Sequence, residues 1–276
     1  MGKLTNTKSK KFSVMLQSDA YQKMINNTLQ DKKKAQNFIA SISSAVATNP
    51  ALQECDAGTI LSAGLVGESL NLQSGSTMGQ YYLVPFNDRK RNRKVAQFQI
   101  GYKGYIQLAI RSGYYKKLNV VAIKENELVN YDPLNEEIEV DLIDDDLERE
   151  KAKTIGYYAM FEYTNGFRKT LYWSKEKMEK HALKYSMGYR AKKGYTFWEK
   201  DFDAMAIKTM LRQIISKWGI MSTELQTAYE KDQAVIEEEK VQYIDNDNNN
   251  VIIEEEQKEN TNNEEEDEDI DFEEDI

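Results

Sequence analysis

The sequence predicts an α+β fold: an antiparallel β-meander core with a central helix, flanked by N- and C-terminal helices and followed by a disordered acidic C-terminal tail. Three observations lead there. Segments whose apolar residues recur at helical spacing occupy both ends of the body, around residues 19–70 and 175–239. Between them lie strand-like runs separated by Gly, Asn and charged turns, without the regular strand–helix alternation of a parallel sheet. Residues 237–276 then collapse into Asp, Glu and Asn runs that cannot build a core.

The elements follow in order. Residues 1–14 are rich in Lys, Ser and Thr and are expected to be flexible. Asp19–Thr48 reads as helical in two pieces, with Phe38, Ile39, Ile42, Ala45 and Val46 on one face. Asn49-Pro50 ends it, because the residue before Pro disfavours the helical region. Thr59–Leu70 forms a second helix, and Gly75 and Gly79 mark a loop. Tyr81–Phe86 and Val95–Ile100 read as a hairpin whose tip, Asn87–Lys94, is strongly basic, with Pro85 favouring an edge. Gly101 turns the chain into a helix over Tyr102–Ser112, which Gly113 closes. Leu118–Ile123 is a further strand, and the acidic stretch Glu125–Glu150 holds one short strand at Glu137–Leu142. Thr154–Tyr163 and Phe167–Trp173 pair through Asn165-Gly166, the favoured dipeptide of a type I′ turn. Ser174 caps a helix over Lys175–Tyr185. A loop at Ser186–Thr196 leads to a long helix, Trp198–Trp218, and another covers Thr223–Glu239. The chain thus divides into an N-terminal helical segment (1–48) suited to oligomerisation, a core (49–236) and the tail (237–276).

Charge separates the same parts. Residues 237–276 hold 19 acids against 2 bases, a charge of −17, so the −9 of the whole chain leaves +8 on residues 1–236. A positive body with a negative arm suits a protein that binds polyanions. The tail can act as a polyanion mimic that restrains such binding, or dock partners through Ile270 and Phe272 set among acids. Enzyme classes drop out in turn. The sequence contains neither a G-x-x-x-x-G-K-[ST] phosphate loop nor a G-x-G-x-x-G. With one His and one Cys, a tetrahedral Cys/His zinc site is excluded. His181 reads as a surface side chain. The acids fall in runs, not in the spaced pairs a metal-dependent nuclease uses, so no metal or catalytic residue is assigned. Cys55 has no partner for a disulfide. No apolar run reaches the roughly 18 residues needed to span a bilayer, and the N-terminus lacks a secretory pattern. The expectation is a cytoplasmic protein with no membrane partner.

Binding chemistry concentrates between Ser69 and Lys124, where ten Lys or Arg accompany one acid, Asp88, and eight aromatics. Cations hold phosphates and aromatic rings stack on bases, so the segment points to single-stranded nucleic acid. The hairpin tip offers Arg89, Arg91, Arg93 and Lys94; Arg can grip phosphate oxygens in bidentate fashion. Gln99 leads into the Gly101 turn, where a helix N-terminus supplies free N–H groups and Gly101 and Gly104 allow a close backbone approach. Tyr102 stands at that turn, and Lys103, Gln107 and Arg111 share one helical face, whereas Tyr105 is expected in the core. Lys116 and Lys117 continue the basic run. Further along, Arg190, Lys192 and Lys193 lie in a Gly- and Tyr-bearing loop before Trp198, and Lys208 and Arg212 form a cationic pair one helical turn apart.

These residues resemble the RecT family of phage-type single-strand DNA annealing proteins. The matching stretches are Asn49-Pro50 with Leu52 and Cys55, Tyr82-Leu83-Val84-Pro85-Phe86, and Gln99-Ile100-Gly101-Tyr102-Lys103-Gly104 with Leu108-Ala109 and Arg111-Ser112-Gly113. Tyr157-Tyr158-Ala159, Trp198, Met205-Ala206-Ile207-Lys208-Thr209 and Arg212 follow, so that the resemblance covers residues 45–218. Ile207 departs from it, standing where a second basic residue is expected, as does Thr196-Phe197 before the Trp. The resemblance implies ATP-independent annealing of complementary strands in recombination, by a homo-oligomeric ring or helical filament. It implies single-stranded DNA and annealed duplex as ligands, with a phage exonuclease and host single-strand-binding protein as partners, in the cytoplasm of a bacterial host. No cofactor is required on this reading, and Mg²⁺ acts only as a modulator of DNA binding. Passive coating of single strands, an RNA-binding module and a metal-dependent nuclease are the competing expectations.

Overall fold

A computed structural model describes residues 12–74, 78–88, 91–194, 196–237 and 240–242. Helices α1 (Phe12–Leu16), α2 (Asp19–Leu29), α3 (Lys32–Thr48) and α4 (Pro50–Gln53) lead to α5 (Ala57–Ser69). The expected break within 19–48 falls at Gln30, which closes α2 in the left-handed region, φ 53°. Asp31 then caps α3 by accepting from the Lys33 and Lys34 amides at 2.7 and 3.1 Å. Helix α5 is buried at Ala57 and from Thr59 to Gly67. Its Ile60, Leu61 and Leu65 join Phe38, Ile42 and Val46 of α3 in one apolar cluster. Its Ala63 and Val66 join the larger cluster built around the strands.

Strands β1 (Tyr81–Asp88) and β2 (Arg93–Ile100) form the expected hairpin, and α6 (Tyr102–Arg111) follows. Next come β3 (Tyr115–Lys124), β4 (Leu128–Asp132), β5 (Glu137–Val140), α7 (Asp146–Lys151), β6 (Thr154–Tyr163) and β7 (Arg168–Ser174). The fold is α+β and its strand pairs are antiparallel, but they gather into small separate sheets: β1-β2, β3-β6-β7 and β4-β5. The acidic stretch is more ordered than the single strand expected of it. Buried Glu127 accepts from Arg149 Nε at 2.6 Å and from the Lys124 amide at 2.7 Å, and so closes the base of the β4-β5 excursion. Burial pushes the Glu127 carboxyl up, but Arg149 and the Lys124 and Ile143 amides outweigh it and hold it below the usual range.

Helices α8 (Lys175–Tyr185), α9 (Met187–Arg190), α10 (Phe197–Lys200), α11 (Phe202–Trp218) and α12 (Thr223–Lys231) complete the body, with a last hairpin of β8 (Val235–Glu237) and β9 (Lys240–Gln242). Two expectations change here. The helix expected over Trp198–Trp218 is interrupted at Asp201, whose carboxylate caps α11 by accepting from the Ala204 amide at 3.0 Å. The helix expected over Thr223–Glu239 stops at Lys231, because Asp232 turns inward and Ala234 bridges to Phe98 of β2. His181 also departs from its surface reading. It is half-buried, 5.5 Å from the Trp173 ring and 4.5 Å from the Tyr185 ring, and burial, aided by Arg212 and Lys184, pushes its pKa down to about 4. The acidic tail beyond residue 242 and the first 11 residues lie outside the described residues. Among the described residues no helix is long and apolar enough to cross a membrane.

Candidate nucleic-acid interface

Helix α6 is the centre of the site, and its two faces explain why. Tyr105, Leu108 and Ala109 are buried, as expected of Tyr105. The opposite face carries exposed Lys103, half-buried Ile106 and Gln107, and Ile110, which is 60% exposed. In the adjacent sheet, the side chains of β6 divide between two faces, although Met160 on the groove face is buried as well, at 8% exposure. Tyr157, Ala159, Phe161 and Tyr163 point into the core, while Tyr158, Met160 and Glu162 point away from it. The register sets Asn119 against Met160 and Val121 against Tyr158. An open groove of about 590 Å³ results, lined by Ile106, Ile110, Tyr115, Lys116, Lys117, Leu118, Asn119, Tyr158 and Met160. Its floor is largely apolar and its rim cationic. Lys116 and Lys117 share one carboxylate, Glu162, at 2.6 and 3.8 Å, which leaves a net positive charge on that rim.

The start of α6 is held by the chain's own backbone. Gly101 donates to the Gln80 carbonyl at 2.8 Å. A Cβ on Gly101 would run into the Gly79 carbonyl, and one on Gly104 into the Gln80 carbonyl. The close approach expected at these glycines is therefore made by residues 79–80. Tyr102, the first residue of the helix, is half-buried against the core, and Gln99 Nε2 lies 3.4 Å from Gln97 Oε1.

Other candidate residues fall into three groups. At the hairpin tip, Arg89 lies outside the described residues. Buried Asp88 organises the remainder, 3.9 Å from Arg91 and 3.7 Å from Arg93. Arg93 also reaches Asp56 at 3.7 Å, and Lys94 pairs with Glu54. On the loop between α8 and α10, Arg190, Lys192 and Lys193 are exposed. The third group makes its contacts within the protein: Trp198 and Lys208 are buried, and Arg111 and Arg212 are half-buried. Trp198 is only 9% exposed and packs edge-on against Phe202, ring centroids 5.1 Å apart. Arg111 Nη2 donates to the Leu70 carbonyl at 2.7 Å, closing the C-terminal end of α5. Lys208 is buried with its Nζ 3.1 Å from Asp232 Oδ1, and Arg212 lies 3.8 Å from Asp232 Oδ2 and 4.5 Å from the Tyr229 ring. Burial lowers the Lys208 pKa, against the opposing pull of Asp232.

Sequence reasoning missed Asp232 altogether. It sits just past a helix end and accepts from the Ile100 amide at 3.1 Å and the Tyr105 hydroxyl at 3.4 Å as well as from Lys208. Sequence reasoning also passed over Ile106, Ile110, Tyr158 and Met160 as site residues. The two-residue period of β6, with Tyr158 and Met160 out of phase with the core set, was the signal available for the last two.

Comparison with known proteins gives a consistent result. Residues 36–268 match the RecT family. The chain is similar to the "Uncharacterized protein YqaK" of Bacillus subtilis (strain 168), with 43% identity over 210 residues; the match covers 76% of this chain and 66% of that protein's length. It is also similar to "Protein RecT" of Escherichia coli (strain K12), with 29% identity over 202 residues, covering 72% of this chain and 71% of that protein.

Proposed function

Because the chain belongs to the RecT family, we propose that it binds single-stranded DNA and anneals complementary strands in phage-type homologous recombination, without nucleotide hydrolysis. The observation that carries this reading is the groove beside α6, with an apolar floor and a rim of Lys116 and Lys117, next to the helix face that bears Lys103 and Gln107. A strand lying there has its phosphates on cations and its bases near Tyr158 and the apolar floor. The hairpin cations Arg89, Arg91, Arg93 and Lys94 and the loop cations Arg190, Lys192 and Lys193 extend that contact on this reading. Arg111, Lys208, Arg212 and Trp198 hold the surface in shape from beneath.

Annealing needs no bond chemistry. Two polyanions repel, so one must be neutralised along its backbone while its base edges stay free. Copies arranged in a ring or helical filament, with residues 1–48 contributing to their association, present many bases in line and turn slow nucleation into zippering. A phage exonuclease that exposes the single strand and a host single-strand-binding protein are the partners this role calls for, in the cytoplasm of a bacterial host carrying a phage or prophage. Mg²⁺ modulates the contact with DNA and is not consumed in any step.

The test is a time course of complementary oligonucleotides pairing without ATP, with and without Mg²⁺. Acceleration is expected in both conditions. Binding without acceleration would make the protein a passive coat, and strand loss on adding Mg²⁺ would make it a nuclease. Lys103→Ala and Lys117→Ala should each slow pairing and lower the slope of log affinity against log salt by about 0.7. Unchanged slopes in both variants would remove the groove from the interface.

A further inference from the structure

A second surface near the groove has no role in the account above. Four large apolar side chains are unusually open there: Tyr114 at 46%, Phe167 at 47%, Trp218 at 52% and Ile220 at 42% exposure. They come from three separate places in the chain, yet one buried residue, Tyr163, ties them together. Its ring stacks on Phe167 with centroids 5.9 Å apart. Its hydroxyl donates to the Trp218 carbonyl at 3.5 Å and accepts from the Ile220 amide. The next residue, Thr164, donates its amide to the Tyr114 carbonyl at 3.1 Å. Lys169 Nζ stands 3.4 Å from the centroid of the Trp218 ring. The backbone at Tyr114, Trp218 and Ile220 is therefore tied to Tyr163 and its neighbour by hydrogen bonds, and the Phe167 ring by stacking.

Charge and position indicate what such a surface receives. The flanking positions carry Lys116, Lys117, Arg168, Lys169 and Lys217. The acids paired with them are Glu162 and Glu136. Five cations against two acids leave +3. Tyr114 also directly precedes Tyr115, Lys116 and Lys117, which line the groove. Exposed aromatic rings within a cationic field suit unpaired bases on a phosphate backbone better than they suit an average protein surface.

We propose that Tyr114, Phe167 and Trp218, with Ile220 beside them, form a stacking platform for unpaired nucleobases of the strand that leaves the groove. The proposal rests on the single-strand reading above and adds a base-contacting site to a phosphate-contacting one.

The test compares two probes of equal length, an oligothymidylate and an abasic oligonucleotide with the same phosphates but no bases. Phe167→Ala and Trp218→Ala should bind oligothymidylate about tenfold more weakly and the abasic strand as the parent does. Trp218→Phe should recover most of the loss. Quenching of the parent's tryptophan fluorescence by oligothymidylate should shrink in Trp218→Phe, a readout that needs no destabilising variant. Parental affinity of both alanine variants for oligothymidylate, or equal loss on both probes, would overturn the platform. So would loss of self-association by these variants in sedimentation without DNA, which would make the patch a contact between copies. The groove is judged separately. If Lys103→Ala and Lys117→Ala bind both probes normally while the aromatic variants show the base-selective loss, the groove reading fails and the platform stands.

Discussion

The Asp232 carboxylate is 1% exposed and accepts from β2, α6 and α11 at once, through Ile100, Tyr105 and Lys208. Removing one partner of a buried ion pair costs about 3–5 kcal/mol, because the other charge is left without solvent or counter-ion. Asp232→Ala should therefore lower unfolding stability in urea by about that amount, and Asp232→Asn by less, since its amide oxygen still accepts from the Ile100 amide. An Asp232→Ala protein within 1 kcal/mol of the parent would show that Lys208 finds another way to be satisfied. At this scale the sequence revealed side chains whose setting is local and hid those whose setting is distant. Tyr105 was assignable to the core from its helical phase. Arg111 was placed on the correct helix, but its partner is the end of α5, 41 residues earlier, and no local pattern encodes that meeting. Arg111→Ala is for this reason a poor probe of DNA contact, since it also uncaps α5.

Among the elements, the hairpins and α6 were legible because turn chemistry marks them. The β6-β7 turn falls at Asn165-Gly166, although not as the type I′ turn expected there: Gly166 is left-handed at φ 88° but Asn165 is not, and the Gly166 amide donates to the Tyr163 carbonyl at 3.0 Å, while Gly101 starts α6. Elements defined by partners far away were not legible. The segment after Lys231 has helical composition but pairs with β2 instead, through Phe98 and Ala234. The junction between residues 79–80 and α6 yields a prediction of its own. Gly101→Ala places a methyl group against the Gly79 carbonyl, a backbone atom that cannot rotate away. Overpacking of this kind costs about 1–3 kcal/mol. Gly101→Ala should show that loss in denaturant titration, together with faster amide exchange at the start of α6. Parental stability would mean the 79–80 segment yields freely.

For the molecule as a whole, charge gave the class of ligand and family resemblance gave annealing; neither followed from the other. If each subunit neutralises about four phosphates, log affinity for single strands should fall with log salt at a slope near −3 per subunit. A slope near zero, measured by titration at several ionic strengths, would contradict the polyanion reading of a body that carries +8. The architecture also has a temporal side. The acceptor that satisfies Ile100 and Tyr105 lies 132 and 127 residues later in the chain. At synthesis rates of about 5–20 residues per second, those partners wait on the order of ten seconds for it to be made. Through that interval the growing polypeptide displays cationic and aromatic surface over a core not yet sealed. Premature capture by nucleic acid or by another nascent chain is thus a hazard of birth more than of the finished protein, and the ribosome's pace sets how long it lasts.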